Sequence, residues 1–237
     1  MNATAPNPAG EDFDKLVPFT EAMGEVRTIV EVGCHRMQDT ARMRRRWPHA
    51  AIYAFECDRR ALEFIERHSM AEELDVRLSG KAVGSGYGSG PLWRSTNLSP
   101  TEDGDWTASS SLRQPRLFGN PADLSANPCI FEQDACLVEI VPLDGFLPYF
   151  DSGRGPDSID LLWIDSQGYE DEVLKGATET LKRTRFIFME HNTDGVYENA
   201  PCLADLLALL PGWEVIATLP YDVLLKNKGD YPLTPSK

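Results

Sequence analysis

The 237-residue sequence has few cysteines and no long apolar run, and each shortage excludes a class of protein. Its five cysteines are odd in number and show neither a CxxC motif nor a Cys/His ligand spacing. A disulfide framework and a structural zinc site are therefore not expected. No apolar run approaches the ~20 residues that a membrane-spanning helix needs. Residues 1–14 lack the apolar segment of a secretory signal, so we expect a cytoplasmic protein.

Basic residues are also scarce. The chain has 23 lysines and arginines against 37 aspartates and glutamates, so its net charge is −14. A surface this acidic repels the phosphate groups of nucleic acids and of anionic membranes. We therefore expect neither nucleic acid nor a membrane as a partner, while a homo-oligomer stays open. Hydrophobic residues make up 42% of the chain, which is enough for one folded domain of this length.

Apolar runs alternate with helical patterns, which predicts an α/β fold with a mostly parallel sheet and right-handed crossovers. The predicted strands are 26–32, 51–56, 76–83, 91–95, 137–143, 159–165, 186–190, 213–219 and 223–226. The predicted helices are 39–47, 59–68, 172–181 and 203–210. The last two strands form a C-terminal hairpin that places one antiparallel strand in the sheet. This combination is more typical of a Rossmann-like methyltransferase than of an NAD-binding dehydrogenase.

The expected domain covers residues 15–228, between a flexible N-terminal arm (1–14) and a short C-terminal tail (229–237). Residues 96–136 are polar and rich in Ser, Pro and Asn. A segment of this length inside a domain is usually a lid, a binding loop or disordered. Its hydroxyls at Ser110 and Ser111 are candidates for contact with an acceptor or a cofactor.

The most informative segment is 159–170, in which a run of apolar residues leads to Asp165 and a polar turn. It predicts a buried parallel strand whose carboxyl end presents Asp165 to a crevice. Ligands of open α/β sheets bind outside such strand ends. The alternative is that Asp165 only caps the helix that follows.

A second acid, Glu190, ends the next predicted strand and is followed by His191 and Asn192. Adjacent strand ends lie ~5 Å apart. Asp165 and Glu190 could therefore act together as a general base, or bind a hard divalent cation through oxygen. His191 would be an accessory base, although a histidine at a strand end is often only structural.

Gly33 and Glu56 end the first two predicted strands. A glycine at a strand end lets the backbone approach a ligand closely. Glu56 lies 23 positions after Gly33, near the ~20-residue spacing at which an acid reaches ribose hydroxyls. Together they favour a nucleoside site over a plain turn and a solvated acid. The G-x-G-x-x-G fingerprint is absent, which argues against a nucleotide-dependent oxidoreductase.

These segments together resemble the FkbM family of S-adenosylmethionine-dependent methyltransferases, most of which methylate oxygen, from about Val26 to Lys226. The family pattern I-D-x-x-G-x-E-x-x-V/L-L-K-G-A is matched by Ile164-Asp165, Gly168, Glu170 and Val173-Leu174-Lys175-Gly176-Ala177. The patterns D-V-G-A-N-x-G-Q-x-T, F-E-P-D, S-S-S-L and T-L-D correspond to residues 31–40, 55–58, 109–112 and 142–144. Met37 stands at the second glycine of the first of these, and Cys57 at the proline of the second.

The resemblance implies S-adenosylmethionine as cofactor and, as acceptor, a hydroxyl of a glycan or another small molecule, such as a sugar or secondary metabolite. The implied cofactor residues are Glu31, Gly33, His35, Glu56, Cys57, Lys81, Ala82 and Asp165. The implied substrate residues are Ser110, Ser111, Gln167 and Asn192. The implied catalytic residues are Asp165, Glu190 and His191, with a divalent cation on the two acids as a variant. The alternative is a non-catalytic cofactor- or partner-binding domain with a degenerate methyltransferase fold, which Met37 and Cys57 would favour.

Overall fold

Strands and helices alternate through most of the computed structural model, which describes residues 12–96, 108–116, 130–132, 134–153, 155–191 and 195–229. The strands are β1 (Thr28–Val32), β2 (Ala51–Phe55), β3 (Val76–Ser79), β4 (Ala82–Val83), β5 (Gly88–Leu92), β6 (Ser95–Thr96), β7 (Ile130–Phe131), β8 (Cys136–Val141), β9 (Ile159–Ile164), β10 (Thr184–Glu190), β11 (Trp213–Thr218) and β12 (Asp222–Asn227). The helices are α1 (Asp12–Leu16), α2 (Thr20–Met23), α3 (Gln38–Arg46), α4 (Arg59–Arg67), α5 (Met70–Glu73), α6 (Leu143–Phe146), α7 (Phe150–Gly153), α8 (Glu170–Lys175), α9 (Thr178–Lys182) and α10 (Leu203–Ala208). Two 3₁₀ turns cover Val17–Phe19 and Leu147–Tyr149.

Seven strands form the central sheet in the order β11-β12-β10-β9-β1-β2-β3. β1, β2, β3, β9 and β10 pair in parallel, and β12 runs antiparallel to both β10 and β11. The predicted mostly parallel sheet with an antiparallel C-terminal hairpin is thus confirmed. The strand order reverses between β1 and β9, and in open α/β sheets the ligand crevice lies at the carboxyl ends of such a pair.

β9 is buried at all six positions, as expected for a central parallel strand covered on both faces. Leu162 and Ile164 belong to one hydrophobic core, and Leu161 and Trp163 belong to a second core on the opposite face. At the amino end of β9, Oδ2 of the buried Asp160 accepts the backbone N–H groups of Arg27 (2.8 Å) and Thr28 (3.1 Å). These bonds fix the start of β1 beside β9.

Two predicted elements are each split in two. Residues 76–83 form β3 in the central sheet and β4 in a separate sheet of order β4-β8-β5, because the chain leaves the ladder at Gly80 and Lys81. The predicted helix 172–181 breaks into α8 and α9 around Gly176. A side chain at Gly176 would collide with the carbonyl group of Gly84, so the break is a close approach of two backbones.

The predicted strand 137–143 forms, but it lies outside the central sheet. It forms β8, which pairs with β4 and β5 rather than with the central sheet. Pro142 ends it, and Leu143 begins α6.

The first helix, α1, begins at Asp12, so it overlaps the predicted arm (1–14) by three residues. The buried Phe13 packs against the rings of Trp47 and Trp163, with ring centroids 5.7 and 6.4 Å away. The rest of the arm and residues 230–237 of the tail lie outside the described residues. No helix of the described ranges is long and apolar enough to cross a membrane.

Candidate active site at the carboxyl edge of the central sheet

The turn after β1 brings the ends of three strands together. Gly33 has a φ of +86°, and a Cβ there would collide with the backbone carbonyl of Asp165. Its N–H donates to the carbonyl of Phe55 (2.9 Å), while the N–H of Asp165 donates to the carbonyl of Val32 (2.9 Å). Only glycine fits this position, because it combines a left-handed conformation with direct backbone contact.

Glu56 lies at the end of β2, where three backbone N–H groups converge on its side chain. Oε1 accepts from Cys57 (2.7 Å) and Asp58 (2.6 Å), and Oε2 accepts from His35 (2.8 Å). A carboxylate offers about four acceptor positions, so one remains at Oε2 for a ligand hydroxyl. Burial raises the pKa of Glu56 to about 7. The proline of the family pattern could not supply the N–H that Cys57 donates.

Glu31 and His35 flank the Gly33 turn. Glu31 is only 1% exposed, and its Oε2 accepts the hydroxyl of Thr40 at 2.7 Å. Burial raises the pKa of Glu31 to about 8. His35 has a φ of +47°, and burial lowers its pKa to about 4. At neutral pH the turn therefore carries a neutral imidazole beside acids that are poised to ionise.

Met37 does not crowd the Gly33 turn. It keeps the left-handed backbone that a glycine would favour, with a φ of +61°. Its buried side chain belongs to a hydrophobic cluster with Cys34, Ala54 and Ile65. The substitution costs backbone strain, but its side chain is accommodated in the core.

Asp165 and Glu190 come together at the adjacent ends of β9 and β10, as predicted, and Gln167 connects them. Its side-chain Nε2 donates to Oδ1 of Asp165 and to Oε2 of Glu190, both at 2.7 Å. Its Oε1 accepts the hydroxyl of Tyr197 at 3.0 Å. The other oxygens of the two acids, Oδ2 and Oε1, make no hydrogen bond within the described part of the chain. The pair therefore has one fixed side and one side that a ligand could use.

Electrostatics and burial both favour protonation of this pair. Burial raises the pKa of Asp165 to about 8, and the nearby Asp12 adds to the effect. The pKa of Glu190 lies well above its usual range, first through burial and then through the charge of Asp165. Two coupled carboxyl groups of this kind share protons, and their ionisation belongs to the pair. Such a pair can accept a proton near neutral pH.

Asp165 does not cap the helix that follows it, contrary to the alternative considered above. α8 begins at Glu170 without a side-chain cap. Oε1 of the buried Glu170 instead accepts the N–H and hydroxyl of Ser166 and the N–H of Gly168, at 3.0–3.1 Å. Glu170 thus holds the turn after β9 and leaves the side chain of Asp165 to Gln167.

The hydroxyls of Ser110 and Ser111 bond to the protein itself. Ser110 Oγ donates to Oδ2 of Asp58 at 2.9 Å, and the buried Ser111 Oγ donates to the carbonyl of Gln167 at 2.7 Å. These bonds tie residues 108–116 to the ends of β2 and β9. Contact of either serine with a substrate stays a prediction. Residues 97–107, 117–129 and 133 of the predicted lid lie outside the described residues.

The remaining predicted site residues lie in different surroundings. Lys81 forms an ion pair with Glu139 of β8, and the buried Ala82 of β4 pairs with Ile140 of β8, so both residues contact the smaller sheet. His191 is 5% exposed, and neither ring nitrogen has a hydrogen-bond partner among the described residues. Asn192 lies outside those residues.

No group of three or more His, Cys, Asp or Glu side chains in the described ranges is arranged to hold a metal ion. The space between Asp165 and Glu190 is bridged by the side-chain amide of Gln167. A cation bound to both acids would have to use the oxygens that the amide leaves open, Oδ2 of Asp165 and Oε1 of Glu190.

Three features of the site were not anticipated from sequence patterns. Tyr197 lies in a polar segment without periodicity, so nothing signalled its contact with Gln167. Asp222 pairs in register with Glu190 and is bonded by Lys15 of α1 at 2.7 Å. Thr40, the partner of Glu31, could have been found, because the family pattern ends in threonine at this position.

The sheet with its antiparallel β12, together with the glycine turn at the switch point, defines a Rossmann-like class I methyltransferase. The family model described as "Methyltransferase FkbM domain" matches residues 31–216. The chain therefore belongs to this family, as the motifs predicted, and uses S-adenosylmethionine. The 2-O-methyltransferase NoeI of Sinorhizobium fredii (strain NBRC 101917 / NGR234) is 34% identical over 206 residues, covering 84% of this chain and 79% of that protein.

Solved structures share the general arrangement at low identity. Precorrin-6y C5,15-methyltransferase from Geobacter metallireducens GS-15 matches with a TM-score of 0.46 and 13% identity, covering 95% of this chain and 94% of that one. The N-terminal domain of EvdMO1, in the presence of SAH and D-fucose, matches with a TM-score of 0.47 and 13% identity, covering 93% and 84%. The fold assignment follows from the strand order of the central sheet.

Proposed function

We propose that this chain transfers a methyl group from S-adenosylmethionine to a hydroxyl of a polyhydroxylated small molecule, such as a sugar unit of a glycan or a secondary metabolite. The observation that supports this most is the carboxyl pair Asp165 and Glu190 beside the Gly33 turn. The 34% identity to a 2-O-methyltransferase supports oxygen as the acceptor atom.

The residues at the switch point fit the cofactor. The turn at Gly33, where the ends of β1 and β9 are in backbone contact, would lie beside its methionine part, and the remaining acceptor position of Glu56 would take a ribose hydroxyl. When bound, S-adenosylmethionine supplies a methyl group on a positively charged sulfur. Glu31, Glu56, Asp165 and Glu190 form no ion pair with a cation of the described chain, so this edge favours a positively charged ligand.

Asp165 and Glu190 would position the acceptor hydroxyl and take its proton. Their oxygens outside the Gln167 bridge would receive that proton while the acceptor oxygen bonds to the methyl carbon and the carbon–sulfur bond breaks. A base whose pKa lies near the working pH is best suited to such a transfer. Holding the hydroxyl in line with the methyl group supplies much of the remaining rate. His191, adjacent to Glu190, would serve as an accessory base.

A divalent cation on Asp165 and Glu190 is a variant of this mechanism. It would polarise the acceptor hydroxyl in place of direct proton transfer to a carboxylate. Activity that persists with a chelator would dispose of this variant.

Calorimetric binding of S-adenosylhomocysteine, followed by mass spectrometry of a panel of saccharides and hydroxylated metabolites, tests the proposal. We expect binding, and one added methyl group on an acceptor that carries a free hydroxyl. Absence of binding at millimolar ligand would overturn the cofactor assignment. Binding without transfer to any acceptor would favour the non-catalytic alternative.

A further inference from the structure

Tyr197 connects the acid pair to the segments around it. Its side chain is 5% exposed, and its hydroxyl lies 3.0 Å from Oε1 of Gln167 and 2.7 Å from the carbonyl oxygen of Ser109. Its ring packs edge-on against Phe131, with centroids 5.9 Å apart. The ring also covers Gly168, where an added Cβ would lie 3.1 Å from it. Packing on several sides therefore fixes the position of the hydroxyl.

The hydroxyl of Tyr197 decides which way the amide of Gln167 faces. Oδ1 of Asp165 and Oε2 of Glu190 both accept from the amide, so they require its NH₂ end, whether the protons of the pair lie on the other two oxygens or have been released. The phenol can donate a hydrogen, so it selects the oxygen end. Rotation of the amide by half a turn would place its oxygen against Asp165 and Glu190 and lose both bonds to the acids, and the phenol would then donate only to the Ser109 carbonyl.

Gln167 has a strained backbone conformation, and in this conformation its side chain bonds both Asp165 and Glu190. Its φ is +55°, which is uncommon for a residue with a side chain. The bond from Ser111 Oγ to the Gln167 carbonyl stabilises this conformation. Strained residues that the surroundings hold in place cluster at functional sites.

We propose that Tyr197 is a positioning residue for methyl transfer: its hydroxyl holds the amide of Gln167 across Asp165 and Glu190, so that the free oxygens of both acids face the acceptor. This proposal rests on the function proposed above. It gives Gln167 a role in ordering the acids, whereas the sequence had suggested contact with the substrate.

The Tyr197 hydroxyl has one hydrogen and two acceptors within reach. Gln167 Oε1 and the Ser109 carbonyl must therefore share it or compete for it. Residues 114–116 are joined to residues 196–198 by backbone bonds from Arg116 to Val196 (2.9 Å) and from Glu198 to Gln114 (2.8 Å). A shift of residues 108–116 would therefore move Tyr197, and with it the Gln167 amide that bonds Asp165 and Glu190.

The proposal predicts how the acids titrate. A hydrogen bond donated to a carboxylate favours its charged form and lowers its pKa. Loss of the Tyr197 hydroxyl should loosen the Gln167 amide and raise the pKa values of Asp165 and Glu190 further. The other charged or titratable groups around the pair are Asp12, Lys15, Glu31, Glu170, His191 and Asp222. The variants below leave all six in place.

Tyr197→Phe removes only the hydroxyl and keeps the packed ring. We expect the titration midpoint of the acid pair to rise by about half a pH unit or more, since a hydrogen bond to a charged group is worth about one unit. The midpoint is followed by NMR of carbon-13-labelled carboxyl groups, assigned with Asp165→Asn and Glu190→Gln. Turnover should fall between about tenfold and 10²-fold while cofactor affinity is kept.

Gln167→Met and the double variant with Tyr197→Phe show whether Tyr197 acts through Gln167. If it does, Tyr197→Phe shifts the midpoint no further once Gln167 is replaced. Tyr149→Phe, at an exposed ring, is the matched control and should leave the midpoint unchanged. An unshifted midpoint in Tyr197→Phe, or additive shifts in the double variant, would overturn the proposal. The titration needs no acceptor, so this result is separable from a failure to find methyl transfer.

Discussion

Acids lie at both ends of the parallel strands of the central sheet. They have different partners at the amino edge, where these strands begin, and at the carboxyl edge, where they end. At the amino edge, Asp160 accepts two backbone N–H groups and lies 3.7 Å from Arg185, and Glu25 pairs with Arg27 at 2.6 Å. At the carboxyl edge, Asp222 pairs with Lys15, but the side-chain partners of Glu31, Asp165 and Glu190 are neutral. Glu31 is bonded by Thr40, and Asp165 by Gln167.

The same strands therefore have acids that stabilise the fold at one end and acids of the candidate active site at the other. The amino edge pairs its acids with cations and backbone N–H groups, and Asp160 thereby anchors β1 beside β9. The carboxyl edge keeps buried acids without a cation of their own, which costs folding free energy. A positively charged ligand at that edge would restore the balance. Lys15 of the described chain pairs with Asp12 and Asp222 instead.

The largest effect is expected from exchanging the acids of β9 for amides. Asp165→Asn removes the proposed base and should lower single-turnover methyl transfer on the order of 10²–10⁴-fold. Its unfolding free energy should not fall, because an acid that burial and neighbouring acids disfavour in its charged form is replaced by a neutral amide. Asp160→Asn should leave turnover unchanged and cost about 1–2 kcal/mol of stability, because an NH₂ group then faces Arg185.

Rapid-quench assays measure turnover, and urea denaturation measures stability. We expect Asp165→Asn to lose only turnover and Asp160→Asn to lose only stability. Near-wild-type turnover in Asp165→Asn would refute its catalytic role. A loss of turnover in Asp160→Asn without unfolding would remove the distinction between the two edges.

The next largest effect is a difference in stability between alanine variants of two glycines with positive φ, Gly33 and Gly24. Gly33→Ala places a Cβ against the Asp165 carbonyl, so strain and displacement of the end of β9 should together cost about 2–5 kcal/mol and abolish cofactor binding. Gly24 has a φ of +67° but nothing within 4 Å of an added Cβ. Gly24→Ala should cost only the backbone strain, about 1–3 kcal/mol. Equal losses of unfolding free energy would show that the contact with Asp165 is unimportant.

Much of the central sheet could be predicted from the sequence, because buried parallel strands such as β9 form continuous apolar runs ending in turns. The acids at their ends were found for the same reason. The separate sheet of β4, β8 and β5 could not be predicted, since β5 and β8 are as long as central strands and only their partners distinguish them from the central ones. The break at Gly176 depends on a contact with Gly84, which is distant in sequence.

The candidate site was predictable where it depends on strand ends and unpredictable where it depends on long-range hydrogen bonds. Gly33, Glu56, Asp165 and Glu190 follow from strand position. The bond from Tyr197 to Gln167 joins residues 30 positions apart. Neither residue type nor spacing signals such a bond.

A smaller effect is expected at Glu56. In Glu56→Gln, the new NH₂ group must face at least one of three backbone donors, so the end of β2 loses hydrogen bonds and the ribose acceptor is displaced. The dissociation constant of S-adenosylhomocysteine should rise about tenfold. Glu25→Gln, at the amino edge, should leave it unchanged. Calorimetry on both variants checks this, and equal affinity in Glu56→Gln would remove Glu56 from the cofactor site.

The smallest effect is a dependence of stability on pH that arises at the carboxyl edge. The pKa values of Glu31 (about 8), Glu56 (about 7) and Asp165 (about 8) lie above those of the unfolded chain, about 4. The folded protein therefore holds protons that the unfolded chain has released. Their stabilising contribution is complete below about pH 4 and is lost as the pH rises through about 8.

Each group can change the unfolding free energy by at most about 1.4 kcal/mol per pH unit within that window. Urea denaturation between pH 5 and pH 8.5 should therefore show stability that falls as pH rises. Glu31→Gln should flatten this slope, whereas Glu25→Gln at the amino edge should not. Cationic S-adenosylmethionine favours the ionised acids, so it should stabilise the protein increasingly as pH rises, and more steeply than neutral S-adenosylhomocysteine. A slope that is unchanged in Glu31→Gln would mean that the acids of the carboxyl edge are as well compensated as those of the amino edge.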